Sequence, residues 1–267
     1  MKPIHILTIS CLLLFSGMQA LAQEADSTKT EEARPSAKTH KHSYTLGKGD
    51  KETHIVYPRT FYGITFARVD WGFSRIIDNG SFTLSDDNQF LNYKKGKTTN
   101  FGFDVAQFGV RMNDNFRMYI STGFEWNYTR LKENVILKKN TTPLDYEILD
   151  RNEVNIEKNR LTSTYLRIPL TFELRSRKMA NGDRLKVAFG PIGGVLLKGS
   201  QRLKSEENGK QKFRDDYNLQ SFQYGAFVRA GFRDVGFFTK YYFNDVFENS
   251  PNQKGLNNFT FGLTLFL

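Results

Sequence analysis

Apolar and polar residues alternate with a period of two from about residue 59 to the last residue of the chain. Segment 116–132 shows it most clearly. Its even-numbered residues from Met118 to Tyr128 are mostly apolar, and its odd-numbered residues from Arg117 to Asn127 are mostly polar. Segments 159–175 and 216–232 repeat the pattern. A period of two belongs to strands whose two faces meet different surroundings. The chain is therefore predicted to be built of strands, and no segment shows a helical period.

Eight strands are predicted, and the connections between them alternate strictly between long and short, at about 22, 3, 26, 8, 16, 2 and 10 residues. Outer-membrane barrels have short periplasmic turns and long outer loops. The pattern predicts an all-β fold, a transmembrane eight-stranded antiparallel up-and-down β-barrel with both mature termini in the periplasm. The predicted strands cover residues 59–75, 98–112, 116–132, 159–175, 184–199, 216–232, 235–246 and 257–267.

Two features of this pattern need a local explanation. In the first two strands, the apolar residues of each half point to opposite faces, which a β-bulge would reconcile; we assign these strands no face. Asn208-Gly209 is a strong hairpin signal in the fifth connection. It predicts that strands five and six continue as a ribbon beyond the membrane, and Val135-Ile136-Leu137 in the third connection suggests a similar ribbon.

The last strand has one wholly apolar face, which predicts a closing strand between lipid and the barrel interior. We expect this face to be the signal read by the barrel-assembly machinery during insertion. Its residues are Phe259, Phe261, Leu263, Leu265 and Leu267.

The N-terminal residues have the pattern of a secretory signal peptide. Lys2 precedes an apolar stretch from Ile4 to Phe15, and Ala20-Leu21-Ala22 supplies small residues for cleavage. Residues 1–22 are therefore predicted to be a signal peptide. Residues 23–58 are poor in apolar residues and carry six basic and six acidic side chains, which predicts a disordered periplasmic lead before the barrel at 59–267.

Three passages resemble a known family. They are Thr164-Tyr165-Leu166-Arg167-Ile168-Pro169-Leu170, Gly123-Phe124-Glu125-Trp126-Asn127-Tyr128 and Phe227-Val228-Arg229-Ala230-Gly231-Phe232. Together with the closing Gly-Leu-x-Leu run, they are similar to the bacteroidete outer-membrane β-barrel family that includes PorT-like proteins. The chain departs from the common aromatic C-terminus of outer-membrane proteins by ending in Leu267. The resemblance implies an eight-stranded barrel inserted from the periplasm, and some family members belong to a secretion system.

Histidine and cysteine are absent from the predicted barrel. His5 and Cys11 lie in the signal peptide, and His40, His42 and His54 lie in the lead. Thiol chemistry and Ser–His hydrolysis therefore lack their groups, and we expect a protein that is not an enzyme. We expect no cofactor and no metal site. The net charge of +10 is spread over many strands and turns, so no nucleic-acid partner is expected.

The remaining candidate chemistry is a polar network of charged side chains predicted to point into the barrel. An eight-stranded barrel is just wide enough for side chains to fill, so these charges must pair or meet water. A packed polar plug is the favoured interpretation; an ion path, or a catalytic pair formed by Glu125 and Glu173, is the alternative. The network residues are Arg117, Glu125, Arg167, Glu173, Arg229 and Lys240.

The sequence favours a non-enzymatic envelope component, and the expected role is that of an accessory subunit of a secretion or assembly system. Its expected partners are outer-membrane lipid and lipopolysaccharide, together with other envelope or secretion proteins. A barrel enzyme acting on lipid, or a barrel that binds a small ligand, is the alternative. A narrow porin is the third hypothesis, disfavoured because eight strands leave no wide lumen.

Overall fold

The computed structural model describes residues 57–64, 66, 68–150, 156–179 and 182–266. The predicted signal peptide, nearly all of the predicted lead, all four histidines and Leu267 lie outside the described residues. Within the described part of the chain, no helix is both long and apolar enough to cross a membrane.

The described residues form strands joined by loops and three short 3-10 helices at Asp86–Leu91, Lys95–Lys97 and Pro251–Gln253. The strands are β1 (Arg59–Ile64), β2 (Arg68–Asp78), β3 (Thr99–Arg111), β4 (Phe116–Leu131), β5 (Val135–Leu137), β6 (Tyr146–Ile148), β7 (Ile156–Arg175), β8 (Leu185–Ser205), β9 (Gly209–Arg214), β10 (Phe222–Phe232), β11 (Val235–Asp245) and β12 (Leu256–Phe266).

The main sheet closes on itself. β1 and β2 both pair with β3 and are the two parts of the first barrel strand. From there, β3, β4, β7, β8, β10, β11 and β12 pair in turn, each antiparallel to the next, and β12 returns to β2. The predicted eight-stranded antiparallel barrel is therefore confirmed.

The seam between β2 and β12 depends on two glycines that lie opposite each other, Gly72 and Gly262. A Cβ atom on Gly72 would overlap the carbonyl oxygen of Phe261, and one on Gly262 would overlap the Cα atom of Gly72. Only a residue without a side chain permits this close approach of the two backbones.

The connections alternate in length as predicted. The short connections that follow β3, β7 and β10 begin at one end of the barrel, which we call the short-turn end. Long connections lie at the opposite, long-loop end. There, β5 pairs with β6 and β9 pairs with the upper part of β8, so both predicted ribbons form.

The predicted faces of β4, β7, β10 and β12 are also correct. On β4, Glu125 is fully buried inside the barrel, whereas Ile120 is exposed on the wall. On β12, Thr260 and Thr264 point inward, and Phe261, Leu263 and Leu265 are exposed on the wall. The barrel therefore has an apolar outer wall and a polar interior.

One detail answers a question that the sequence left open, and a second differs from the sequence-based expectation. In β3, the pairing with β4 shifts between Asp104 and Ala106, so Val105 is an extra bulged residue. This bulge puts both apolar halves of the strand on the outer wall. The sixth barrel strand begins at Phe222 rather than at residue 216, because Tyr217 and Leu219 leave the wall and are buried in an apolar cluster.

That apolar cluster, which we call the cap, lies at the long-loop end. It is built from the upper parts of the barrel strands together with the loops above them. Its fully buried members are Ile76, Phe90, Leu91, Tyr93, Leu131, Val135, Leu137, Leu144, Leu161, Tyr217, Leu219, Phe247 and Leu256. The long loops therefore fold onto the barrel opening.

Candidate functional site in the barrel interior

A group of buried charges fills the middle of the barrel. Six strands each contribute one member, because each places an inward-facing charged residue at a similar level. The acidic members are Asp70 on β2, Asp104 on β3 and Glu125 on β4, and the basic members are Arg167 on β7, Arg229 on β10 and Lys240 on β11. All six side chains are at most 1% exposed. We call this group the central cluster.

Asp70 is the carboxylate on which the most cations converge. Arg229 donates two hydrogen bonds to it, from Nε at 3.2 Å and from Nη2 at 2.8 Å. Arg167 donates from Nη1 at 2.7 Å, and the Thr264 hydroxyl donates at 2.8 Å. The Lys240 ammonium lies 3.5 Å away. Such two-point guanidinium contacts fix orientation as well as charge.

Glu125 is held from three other directions. Lys240 donates to its Oε2 at 2.8 Å, and the Tyr242 hydroxyl donates to its Oε1 at 2.9 Å. The side-chain amide of Asn100 also donates to Oε1, at 3.0 Å. The carboxylate thus has hydrogen bonds on both oxygens, as a buried charge requires.

Asp104 connects the central cluster to Arg68, the first residue of β2. Arg167 donates from Nε to its Oδ1 at 3.0 Å, and Arg68 donates from Nη1 to its Oδ2 at 3.1 Å. The Ser121 hydroxyl lies 3.2 Å from the same Oδ2. Arg167 therefore bridges Asp70 and Asp104, and its planar, permanently charged group suits that position.

A second, smaller group lies nearer the short-turn end around Glu173. Arg117 and Arg175 each donate to a different oxygen of this carboxylate, both at 2.7 Å. The Tyr119 hydroxyl donates to Oε2 at 3.1 Å. Glu173 itself is fully buried, whereas the two arginines are about one-fifth exposed. This group therefore closes the lower part of the barrel.

The structure keeps Glu125 and Glu173 far apart. Glu173 lies opposite Arg117, and Arg117 is eight residues from Glu125 along β4. Eight residues of strand span roughly 26 Å. Paired carboxylates that cleave glycosides lie about 5 to 9.5 Å apart. The two residues therefore do not form such a catalytic pair.

A small cavity separates the charged interior from the cap. Its volume is about 50 Å³, below the roughly 300 Å³ at which ligand pockets begin. Polar side chains, among them Asn127 and Gln223, share its lining with apolar cap residues such as Leu91 and Leu219. It has room for one or a few water molecules, not for an organic ligand.

The six network residues predicted from the sequence all lie inside the barrel. The structure brings Glu125, Arg167, Arg229 and Lys240 together in the central cluster and places Arg117 with Glu173 in the second, smaller group. The sequence did not reveal Asp70, Asp104 or Arg68, because the first two strands have no consistent face. The alternation of Arg68 and Asp70 with Val69 and Trp71 could have indicated that the two charged side chains point into the barrel.

Within the described residues, no group of three or more His, Cys, Asp or Glu side chains has positions suited to a metal ion. The carboxylates of the central cluster lie against basic side chains instead. Their arrangement is suited to mutual neutralisation inside a narrow barrel.

The sequence of residues 64–264 matches the family described as the outer membrane protein beta-barrel domain. This match covers most of the chain and all eight barrel strands. No curated protein matches the sequence. With its closed barrel, apolar wall and polar interior, the chain belongs to the outer membrane protein beta-barrel domain family and is an integral outer-membrane barrel.

Proposed function

We propose that this protein is a closed, non-enzymatic envelope component that works through contacts made by its loops, as an accessory subunit of a secretion or assembly system of the PorT-like kind. A signal peptide at 1–22 exports it, and the short-turn end and both mature termini face the periplasm. This orientation follows the rule that periplasmic turns are short and outer loops are long.

The observation that carries this proposal is the occupancy of the barrel. Ion-paired side chains fill the middle, and the apolar cap packs over the long-loop end. A porin needs an open aqueous lumen, and an eight-stranded barrel holds little more than its own side chains. The interior charges are also engaged with one another, which leaves them poorly placed to act on a substrate.

The outer loops remain as the contact surface. The β5–β6 ribbon carries Ile148, whose side chain is 68% exposed at the long-loop end. We take this exposed side chain as the proposed contact with a partner protein. The proposed partner is therefore another envelope protein that binds from the outer side.

The test is chemical cross-linking of the tagged protein in intact cells, followed by purification from gently solubilised outer membrane. We expect one or a few envelope proteins in fixed ratio to the barrel, and their yield to fall in the Ile148→Ser variant. Met179→Ser is the control, because Met179 is also an exposed apolar residue, at 47%, but it follows β7 at the opposite end of the barrel. Recovery of the barrel alone, or equal yields from both variants, would contradict the proposal.

A further inference from the structure

Rows of basic side chains cross the outer wall at the long-loop end, where β4, β7, β8 and β9 lie side by side. These residues lie directly opposite one another in the pairing of the strands. One row consists of Arg130, Arg160, Arg202 and Lys212, and the next consists of Lys158, Lys204 and Lys210. We call these seven residues the basic ladder.

The basic ladder lines an open groove of about 610 Å³. Ten residues line this groove, and eight of them are Lys or Arg: the seven residues of the basic ladder and Lys97. The lining, as far as the structure describes the chain, contains no acidic residue. Glu157 forms an ion pair with Lys204, so one member of the ladder has a carboxylate partner of its own.

Like charges directly opposite each other destabilise a sheet. Here, three successive cross-strand pairs place a cation against a cation, from Arg130 through Arg160 and Arg202 to Lys212. Desolvation, together with the nearby cations of Arg202 and Lys198, lowers the pKa of Lys212. A sheet that accumulates this much repulsion at one place is suited to an anionic ligand.

The position of the basic ladder along the barrel wall indicates which part of the membrane it faces. Arg160 lies on the same outward face of β7 as the apolar Leu166 and Ile168. Below the ladder, Tyr128 lies opposite Thr162 and Trp126 lies opposite Thr164. Aromatic residues on the outer wall of such barrels mark the membrane interface. The Arg130 row is two residues beyond Tyr128, or about 7 Å along the strand, which is the level of lipid headgroups.

We propose that the basic ladder binds the phosphate groups of a lipid in the outer leaflet whose headgroup carries two or more phosphates. The orientation proposed above, with the long-loop end outside, is required for this inference. Arginine side chains hold phosphate with paired hydrogen bonds. The row of four cations spans about 14 Å across neighbouring strands, which is wider than one phosphate and suits two.

The test uses the full-length protein, purified and depleted of lipid in zwitterionic detergent. Arg202, Lys210 and Lys212 are exposed ladder residues, and the test variant is Arg202→Gln/Lys210→Gln/Lys212→Gln. Its matched control, Arg177→Gln/Lys178→Gln/Lys254→Gln, removes one Arg and two Lys that are exposed elsewhere. The probes are diphosphorylated lipid A, monophosphorylated lipid A, phosphatidylcholine, inorganic pyrophosphate and heparin. Bound lipid is counted by native mass spectrometry, and melting is followed by the gel shift of the heated barrel.

We expect diphosphorylated lipid A to bind the wild type and the control and to raise their melting temperatures. Its affinity for the ladder variant should fall roughly a hundredfold, because each cation near an anionic headgroup layer contributes about a fivefold factor. Monophosphorylated lipid A should bind more weakly, and phosphatidylcholine should show no preference among the proteins.

Equal lipid A binding by the wild type and the ladder variant would overturn the proposal. An equal stabilisation by pyrophosphate would overturn the lipid assignment and indicate a soluble phosphate ligand. Tight binding of a polyanion such as heparin, without selectivity for phosphorylated lipid, would overturn it as well. All three results leave the heat-sensitive gel shift intact, so they are distinguishable from failure of the closed, loop-contacting barrel proposed above.

Discussion

Basic side chains inside this barrel have acidic partners, whereas those of the basic ladder on its outer wall lie opposite other basic side chains. Inside, Arg167 and Arg229 are fully buried and lie within hydrogen-bond distance of carboxylates supplied by other strands. Outside, Arg160 and Arg202 lie opposite each other and opposite further cations. The two sets belong to the same strands or to neighbours. They differ in the face of the sheet from which they project.

The difference shows where each set of charges finds its counter-charge. A buried charge without a partner is very costly, so the barrel supplies its own acids wherever it places a cation inside. A cation on the wall remains in contact with headgroups and water, and its repulsion by neighbours is partly screened. In the binding mode proposed above, the phosphates of outer-leaflet lipid supply the counter-charge of the basic ladder.

The largest expected effect comes from removing the charge of Asp70. Asp70→Asn leaves Arg167, Arg229 and Lys240 without their shared carboxylate and should lower the free energy of unfolding by about 3–5 kcal/mol. Urea unfolding of the detergent-folded barrel, followed by tryptophan fluorescence, measures it. Asp183→Asn is the matched control, since its partner Arg233 is well exposed, and it should cost at most about 1 kcal/mol. Similar costs for the two substitutions would remove the contrast between the interior and the surface.

Two buried tyrosines allow a hydrogen bond to a charged group to be compared with a hydrogen bond to a neutral group. Tyr242 donates to the Glu125 carboxylate at 2.9 Å, and Tyr165 donates to the carbonyl oxygen of Gln220 at 3.0 Å. Tyr242→Phe should cost about 1.5–3 kcal/mol and Tyr165→Phe about 0.5–1.5 kcal/mol, because hydrogen bonds to charged groups are stronger. The same urea titration gives both values. A larger loss for Tyr165→Phe would contradict an ionised Glu125.

Gly102 tests how closely the interior is packed around Arg167. A Cβ atom at this position would lie 2.7 Å from Arg167 Nη1 and 3.1 Å from the carbonyl oxygen of Phe124. Gly102→Ala should therefore destabilise the barrel by about 1–3 kcal/mol through overpacking. Gly96→Ala is its control, because no heavy atom outside the two neighbouring residues lies within 4 Å of the added carbon. A Gly102→Ala barrel as stable as the control would show that Arg167 has room to move.

The smallest effect is expected on the wall, and its sign is opposite. In detergent without anionic lipid, Arg202→Gln/Lys210→Gln/Lys212→Gln should stabilise the barrel by up to about 1 kcal/mol, since it relieves cross-strand repulsion. Added salt should erase this gain by screening the charges. Urea titrations at low and high ionic strength give the comparison. Destabilisation at both ionic strengths would mean that these cations have protein partners.

Much of the fold could be predicted because most strands show a clear alternation of apolar and polar residues in their own sequence. Strands such as β4 and β7 alternate cleanly, and the loop lengths sort the two ends of the barrel. The apolar pattern of the first two barrel strands indicated a bulge, but its position at Val105 is a property of the pairing between β3 and β4, so neither strand could be assigned a face. Asp70 and Asp104 were missed for this reason.

The basic ladder was hidden from the sequence by a different cause. Residues 131–160 contain six basic and six acidic side chains, so charge counted along the chain balances there. Arg130, Arg160, Arg202 and Lys212 come together only through the register of four strands. The cap is similar, because its leucines come from separate strands and loops. Features that form only when distant segments of the chain pair or pack together could not be predicted from the sequence and are seen only in the structure.

The most direct test of the central claim, a barrel closed by its own charges and cap, is an electrical one. The wild-type protein is inserted into planar lipid bilayers in concentrated KCl, and the current is recorded under an applied voltage. We expect no channel steps, because the group around Glu173, the central cluster and the cap fill the lower part, the middle and the long-loop end of the barrel interior. Stable, reproducible conductance steps from the wild-type barrel would contradict a closed interior and support the narrow porin instead.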